Sequence, residues 1–159
     1  HAAAQGACRK AQALGLAARV VTTELGGEAR EASRRCLAAD ANEELLIFSG
    51  ETTVAVRGSG RGGRNQEAAL AAALQLEGDR HSLFAALATD GVDGPTDAAG
   101  GLVDGRSVQR GWAVGLEAAQ HLAENDSYPF LSASRDLLVT GPTGTNVGDV
   151  WLVYRGDQV

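Results

Sequence analysis

Short apolar or β-branched runs alternate along this chain with longer stretches whose apolar positions fall three or four apart. The first pattern is that of buried strands, the second that of helices lying on them. Residues 1–16 are alanine-rich and close on Gly15, which predicts a helix. Residues 18–23 then read as a buried strand. A helix over 26–39 carries Glu28 and Glu31 early and Arg34 and Arg35 late, the order the helix dipole favours. Residues 45–49 and 52–57 read as two strands of an antiparallel hairpin turning at Gly50-Glu51. A helix over 65–76 shows Leu70 and Leu74 on one face, and 82–89 is another buried strand. Residues 107–124 read as a helix broken near Gly111, and 136–140 and 150–154 as the last strands. This alternation predicts an α/β fold, a layered domain with a mixed β-sheet flanked by helices.

Composition narrows the function. A chain of 159 residues can bury a core without disulfides. A formal charge of -6 and a pI near 5.0 argue against a nucleic-acid surface. No apolar run reaches the roughly 18 residues of a membrane span, and His1-Ala2-Ala3-Ala4 lacks the basic start of a secretory signal. The chain contains no methionine, so it reads as a fragment. Cys8 and Cys36 fit neither zinc nor CxxC spacing and read as buried thiols of a cytoplasmic protein. One lysine, Lys10, stands against 13 arginines, so any anion falls to arginine's forked donors.

Three loops carry the candidate chemistry. The first, 57-RGSGRGGRNQE-67, packs four glycines and three arginines into residues 57–64, just before a helix. Helix-terminal N–H groups attract anions and glycines let a ligand approach them. Gly60, Gly62, Gly63 and Asn65 are therefore candidate phosphate contacts, with Arg61 and Arg64 as forked donors. Gly58-x-Gly60-x-x-Gly63 also matches the dinucleotide fingerprint. The acidic residue that should end the next strand is misplaced, since Asp79 precedes it and Asp90 follows it. A P-loop needs Lys-Ser/Thr where this chain has Arg64-Asn65.

The second loop, 90-DGVDGPTDAAGG-101, places Asp90, Asp93 and Asp97 directly after a buried strand. Such carboxylates can hold Mg²⁺, orient a hydroxyl or pair with the arginines, or the loop can simply be a turn. Asp97 is the candidate metal contact. The third, 141-GPTGTNVGD-149, offers Thr143, Thr145 and Asn146 as short neutral donors. Asn125-Asp126-Ser127 reads as a helix end and cap. His81 and His121 have no ligand at metal spacing, and no Ser-His-Asp set can be assembled.

Together, 49-SGETT-53, 57-RGSGRGGRNQE-67, 89-TDGVDGPTDAAG-100, 125-NDSY-128 and 141-GPTGTNVGD-149 resemble the MOFRL domain of the glycerate 2-kinases, some of which bear the older label hydroxypyruvate reductase. The resemblance assigns 43–159 to that C-terminal domain and 1–42 to the end of the family's preceding Rossmann-like region, the two packed as one unit. A single glycine before Glu51 and Gly101 in place of a common alanine are the departures. The resemblance implies ATP-dependent phosphorylation of D-glycerate to 2-phosphoglycerate with Mg²⁺, in a cleft shared with the N-terminal domain. Arg64 would contact substrate or phosphoryl, Asp90 and Asp93 would line the cleft, and Glu51 would join the substrate contacts. The family's candidate catalytic lysine lies outside this chain, and Lys10 is a poor substitute, so the fragment alone is expected to be inactive. An NAD(P)H-dependent hydroxypyruvate reductase and a non-catalytic ligand-binding or dimerisation module are the rival readings, and a homodimer stays open.

Overall fold

The structure is a computed structural model describing residues 2–40 and 42–156. His1 of the first expected helix, and Ala41 and 157–159 of the expected domain spans, lie outside the described residues. Strands β1 (Ala18–Leu25), β2 (Leu45–Gly50), β3 (Ser82–Ala88), β4 (Gly100–Asp104), β5 (Leu137–Leu138) and β6 (Asp149–Arg155) form one sheet in the order β1-β2-β6-β3-β4-β5. Helices α1 (Ala2–Ala13), α2 (Ala29–Leu37), α3 (Arg64–Leu76), α4 (Ser107–Trp112), α5 (Ala118–Ala123) and α6 (Ser127–Ser134) flank it. Only β1 and β2 pair in parallel, joined by α2, and the other neighbouring pairs are antiparallel. The fold is α/β with a mixed sheet, as the apolar rhythm predicts.

The alternation along β2 explains the layers. Leu46 and Phe48 face one side, with Phe84, Val103, Trp151 and Val153, under α2, α3 and α6. Leu45 and Ile47 face the other side, with Val150, under α1. Trp151 anchors the first cluster. Its ring meets Phe84 edge-on at 5.6 Å, and its indole N–H donates to Asn65 Oδ1 at 2.7 Å. The alanines at 68, 69, 72 and 73 are fully buried, and their small side chains let α3 lie close to the sheet. Both thiols are buried and free. Burial pushes the Cys36 thiol up to about 12, as expected for an inert core cysteine.

Four expectations fail. Residues 52–57 form no hairpin strand, because both edges of β2 are already paired with β1 and β6. Thr53 instead makes one parallel bridge to Glu28, its N–H donating to Gly27 O at 2.9 Å. β4 was hidden by its opening glycines. A Cβ at Gly100 would lie 1.9 Å from Ala86 O, and one at Gly101 2.8 Å from Ala69 Cβ. The helix expected over 107–124 breaks at Gly115 (φ 82°), between α4 and α5. Gly111 lies inside α4, against the Phe130 ring. Residues 127–134, with Pro129 in the first turn, form α6, which no sequence expectation covered.

Candidate functional site

The ends of β2 and β3 and the start of β6 lie at one end of the sheet's strands, because β6 runs antiparallel between the other two. Gly50 pairs with Asp149, and Asp149 with Ala88. Loops that follow strand ends are where α/β sheets carry ligands. At this end Glu51, Thr52, Thr53, Val54, Arg64, Asp93 and Gly94 line an open cleft of about 590 Å³.

Arg64 is the first residue of α3, so its side chain leaves the helix at the mouth of the cleft. Its Nε donates to Asp149 Oδ2 at 2.6 Å and its Nη2 to Asp149 Oδ1 at 3.1 Å. Nη1 lies 3.2 Å from Glu51 Oε1. The Asp149 contact holds the guanidinium above its ordinary pKa against the opposing effect of burial. Asp149 is 1% exposed, Glu51 71% and Arg64 33%. A buried carboxylate thus fixes the planar fork, and an exposed one touches its outer edge.

Asp93 is buried at the N-terminus of the same helix. Oδ1 accepts from the backbone N–H and side-chain amide of Asn65, at 3.1 and 3.2 Å. Oδ2 accepts from the corresponding groups of Gln66, at 2.8 and 3.1 Å. Burial pushes this carboxyl above its ordinary range, while the Asn65 and Gln66 donors pull the other way. The helix terminus read from sequence as a phosphate cradle therefore already holds the protein's own carboxylate. Gly63 leaves room for it, since a Cβ there would lie 2.3 Å from Asp93 Cγ.

The other loop glycines meet a second segment. A Cβ at Gly58 would lie 2.4 Å from Glu124 O, one at Gly60 2.4 Å from Asp126 Cβ, and one at Gly62 2.1 Å from Ser127 Oγ. Asn125 Oδ1 accepts from Arg57 N and Gly58 N, Glu124 O from Gly60 N, and Asp126 Oδ1 from Arg61 N. Asn125 Nδ2 donates to Glu67 Oε2 at 2.8 Å, and Arg30 Nε to Glu67 Oε1 at 2.7 Å. The glycine loop is thus zipped onto 124–128. These glycines admit the chain itself, which removes the backbone opening a dinucleotide fingerprint needs. Arg61 lies over the Tyr128 ring at 4.4 Å and donates to Pro95 O at 3.2 Å.

Asp90, Thr143, Thr145 and Asn146 join at the same end of the strands, and Asp90, expected to line the cleft, is not among the residues that do. Asp90 Oδ2 accepts from Asn146 Nδ2 at 3.2 Å, and Asp90 O from Thr143 N at 3.0 Å. Thr143 Oγ1 donates to Thr89 O, and Thr145 N to Thr143 Oγ1. Asp97, the expected metal contact, lies in the open and accepts from the Tyr128 hydroxyl at 2.7 Å, which lowers its pKa. Among the described residues no three His, Cys, Asp or Glu side chains converge as metal ligands. None of their helices is long and apolar enough to cross a membrane.

Sequence reasoning missed Asp149, Glu67 and Thr52. Asp149 closes the third loop motif, but its partner lies 85 residues away. Glu67 reads as an ordinary first-turn acid, yet it is buried and joins Arg30 to Asn125. Thr52 is buried in the cleft wall, and its hydroxyl has no hydrogen-bond partner among the described residues.

Comparison with known proteins adds the remaining findings. Residues 44–149 match the MOFRL family. A D-glycerate 2-kinase of Thermotoga maritima is 47% identical over 162 residues, covering 92% of this chain and 38% of its own. A glycerate 2-kinase of Pyrococcus horikoshii is 42% identical, covering 89% and 34%. The crystal structure of a glycerate kinase from T. maritima superposes with a TM-score of 0.91 at 44% identity, over 96% of this chain and 39% of that one. The chain spans little more than a third of the length of these relatives.

Proposed function

This chain belongs to the MOFRL family, and from that premise we propose that it forms the C-terminal third of a glycerate 2-kinase, which transfers a phosphoryl group from ATP to the 2-hydroxyl of D-glycerate. The observation that carries the reading is Arg64, held at two points by buried Asp149 at the mouth of the strand-end cleft. Phosphoryl transfer depends on alignment and on cations at the developing charge rather than on covalent help. Arg64 supplies that cation, with donors left on Nη1 and Nη2 for the glycerate carboxylate or the migrating phosphoryl. Asp90, at the same end of the strands with Asn146 Nδ2 on its Oδ2, is the carboxylate this reading assigns to orienting the 2-hydroxyl. Asp93, with both oxygens engaged by Asn65 and Gln66, acts on Arg64 through the first turn of α3. Mg²⁺ would enter with the nucleotide, held mainly by its phosphates. The cleft would be completed by the family's N-terminal region, and this chain alone is expected to be inactive.

A ³¹P NMR time course with ATP, Mg²⁺ and D-glycerate tests the proposal on the intact protein that carries this chain. Formation of 2-phosphoglycerate is the expected result. Its absence from the intact protein, with ATP unchanged, sinks the kinase reading.

A further inference from the structure

Of the two carboxylates on Arg64, one is built in and the other is loosely placed. Asp149 starts β6 between Gly50 and Ala88, is buried, and grips Nε and Nη2. It cannot leave without opening the start of β6, which is paired on both sides. Glu51 follows Gly50, is largely exposed, lines the cleft, and touches only Nη1. Arg64 is the partner of its carboxylate among the described residues. An exposed single-point ion pair is weak and easily displaced. Its position is nonetheless the one an incoming carboxylate or phosphate needs, at the outer edge of a fork whose inner edge is taken.

We propose that Glu51 is an exchangeable occupant of the anion site: its carboxylate sits on Arg64 until a small carboxylate- or phosphate-bearing ligand displaces it. The assignment rests on the reading of Arg64 as the substrate's anion contact. It gives Glu51 a role opposite to that of a substrate clamp. Glu51 competes with the ligand and weakens the binding of bare anions, so a ligand that makes further contacts in the cleft replaces it most readily. Asp149, already paired, keeps the fork in place throughout the exchange.

The test is calorimetric titration of the intact protein with inorganic phosphate and, separately, with D-glycerate, comparing wild type, Glu51→Gln and Arg64→Ala. Glu51→Gln keeps the side chain's size and removes its charge, so both anions should bind roughly two- to five-fold more tightly, the range of an exposed ion pair. Arg64→Ala should lose phosphate binding. Unchanged or weaker binding by Glu51→Gln, with an unaltered melting temperature, overturns the exchange and makes Glu51 a tether or a substrate clamp. Absence of phosphate binding by both wild type and Glu51→Gln overturns it as well. Tighter phosphate binding by Glu51→Gln without any phosphoglycerate formation by wild type would leave the exchange standing and remove only the kinase reading.

Discussion

Arg64 and Asp149 lie 85 residues apart in sequence and meet at two points, Nε to Oδ2 at 2.6 Å and Nη2 to Oδ1 at 3.1 Å. The contact ties the first turn of α3 to the first residue of β6. Asp149→Ala would leave a partly exposed guanidinium with only the weak Glu51 contact and open a void at the start of β6. A loss of about 1–3 kcal/mol is expected, discounted for the solvent that still reaches Arg64. Urea unfolding measures it, and an unchanged midpoint would show that the pair contributes nothing to stability.

The same geometry separates Arg64 from a mere positive charge. In the intact protein, Arg64→Ala is expected to lower kcat on the order of 10²-fold, the effect of losing one transition-state charge contact. Arg64→Lys should recover only part of this, because an ammonium cannot bind Asp149 at two points and still present a donor outward. Steady-state kinetics with D-glycerate decides the matter. Full activity in the alanine variant would remove Arg64 from the mechanism.

Gly60 and Gly6 differ in what an added methyl group would meet. At Gly60 it would lie 2.4–2.6 Å from the Cβ, Cα and N of Asp126, atoms that cannot move aside without shifting the backbone. Gly60→Ala should destabilise by about 1–3 kcal/mol through overpacking. Gly6, inside α1, has nothing within 4 Å. Gly6→Ala should stabilise by about 0.5–1 kcal/mol. Equal and opposite shifts are not required, but two shifts of the same sign would contradict the packing argument.

These glycines also show where a sequence stops being readable. A glycine demanded by a ligand and one demanded by another stretch of chain look alike in sequence, and here Glu124, Asp126 and Asp93 make the demand. Local features were legible. The alternation that sends Leu46 and Phe48 to one face and Leu45 and Ile47 to the other follows from side-chain period alone. Arg64 stood out as a cation at a helix start. The partners were not legible, because Asp149, Glu67 and Asn125 gain their meaning from contacts across dozens of residues. The false hairpin at 52–57 has the same origin. Its residues suit a strand, and only the pairing of β2 with β6 denies them an edge.

Asn125 is the hub of that unreadable part. With φ at 55°, it accepts from Arg57 N and Gly58 N and donates to Ala55 O and Glu67 Oε2. Asn125→Ala would strand a buried carboxylate oxygen and place a less tolerant residue in the left-handed region. A loss of about 2 kcal/mol or more is expected. Hydrogen exchange should report it locally, with the amides of Arg57 and Gly58 losing protection before those of β3 do. Uniform loss across the sheet would mean that the loop and the core open together.

Asp136 supplies a pH dependence whose sign can be worked out. It is buried, Arg110 Nη2 donates to its Oδ1, and its Oδ2 has no partner among the described residues. Burial pushes the carboxyl above its ordinary range, and the contacts from Ser134 and Arg110 offset this only in part. A raised pKa means that the folded state holds the proton more tightly than the unfolded chain. The resulting stability is fully present below the ordinary aspartate value of about 3.9. It fades as pH rises through the folded value, with a slope of at most about 1.4 kcal/mol per unit. Asp136→Asn keeps an oxygen for Arg110 and removes the titration. Its stability relative to wild type should therefore improve as pH rises above about 4 and level off once the folded carboxyl has lost its proton. Urea unfolding of both proteins across that range gives the difference directly. A gap that is flat with pH, or that moves against the variant as pH rises, would show that Arg110 outweighs burial at this carboxylate.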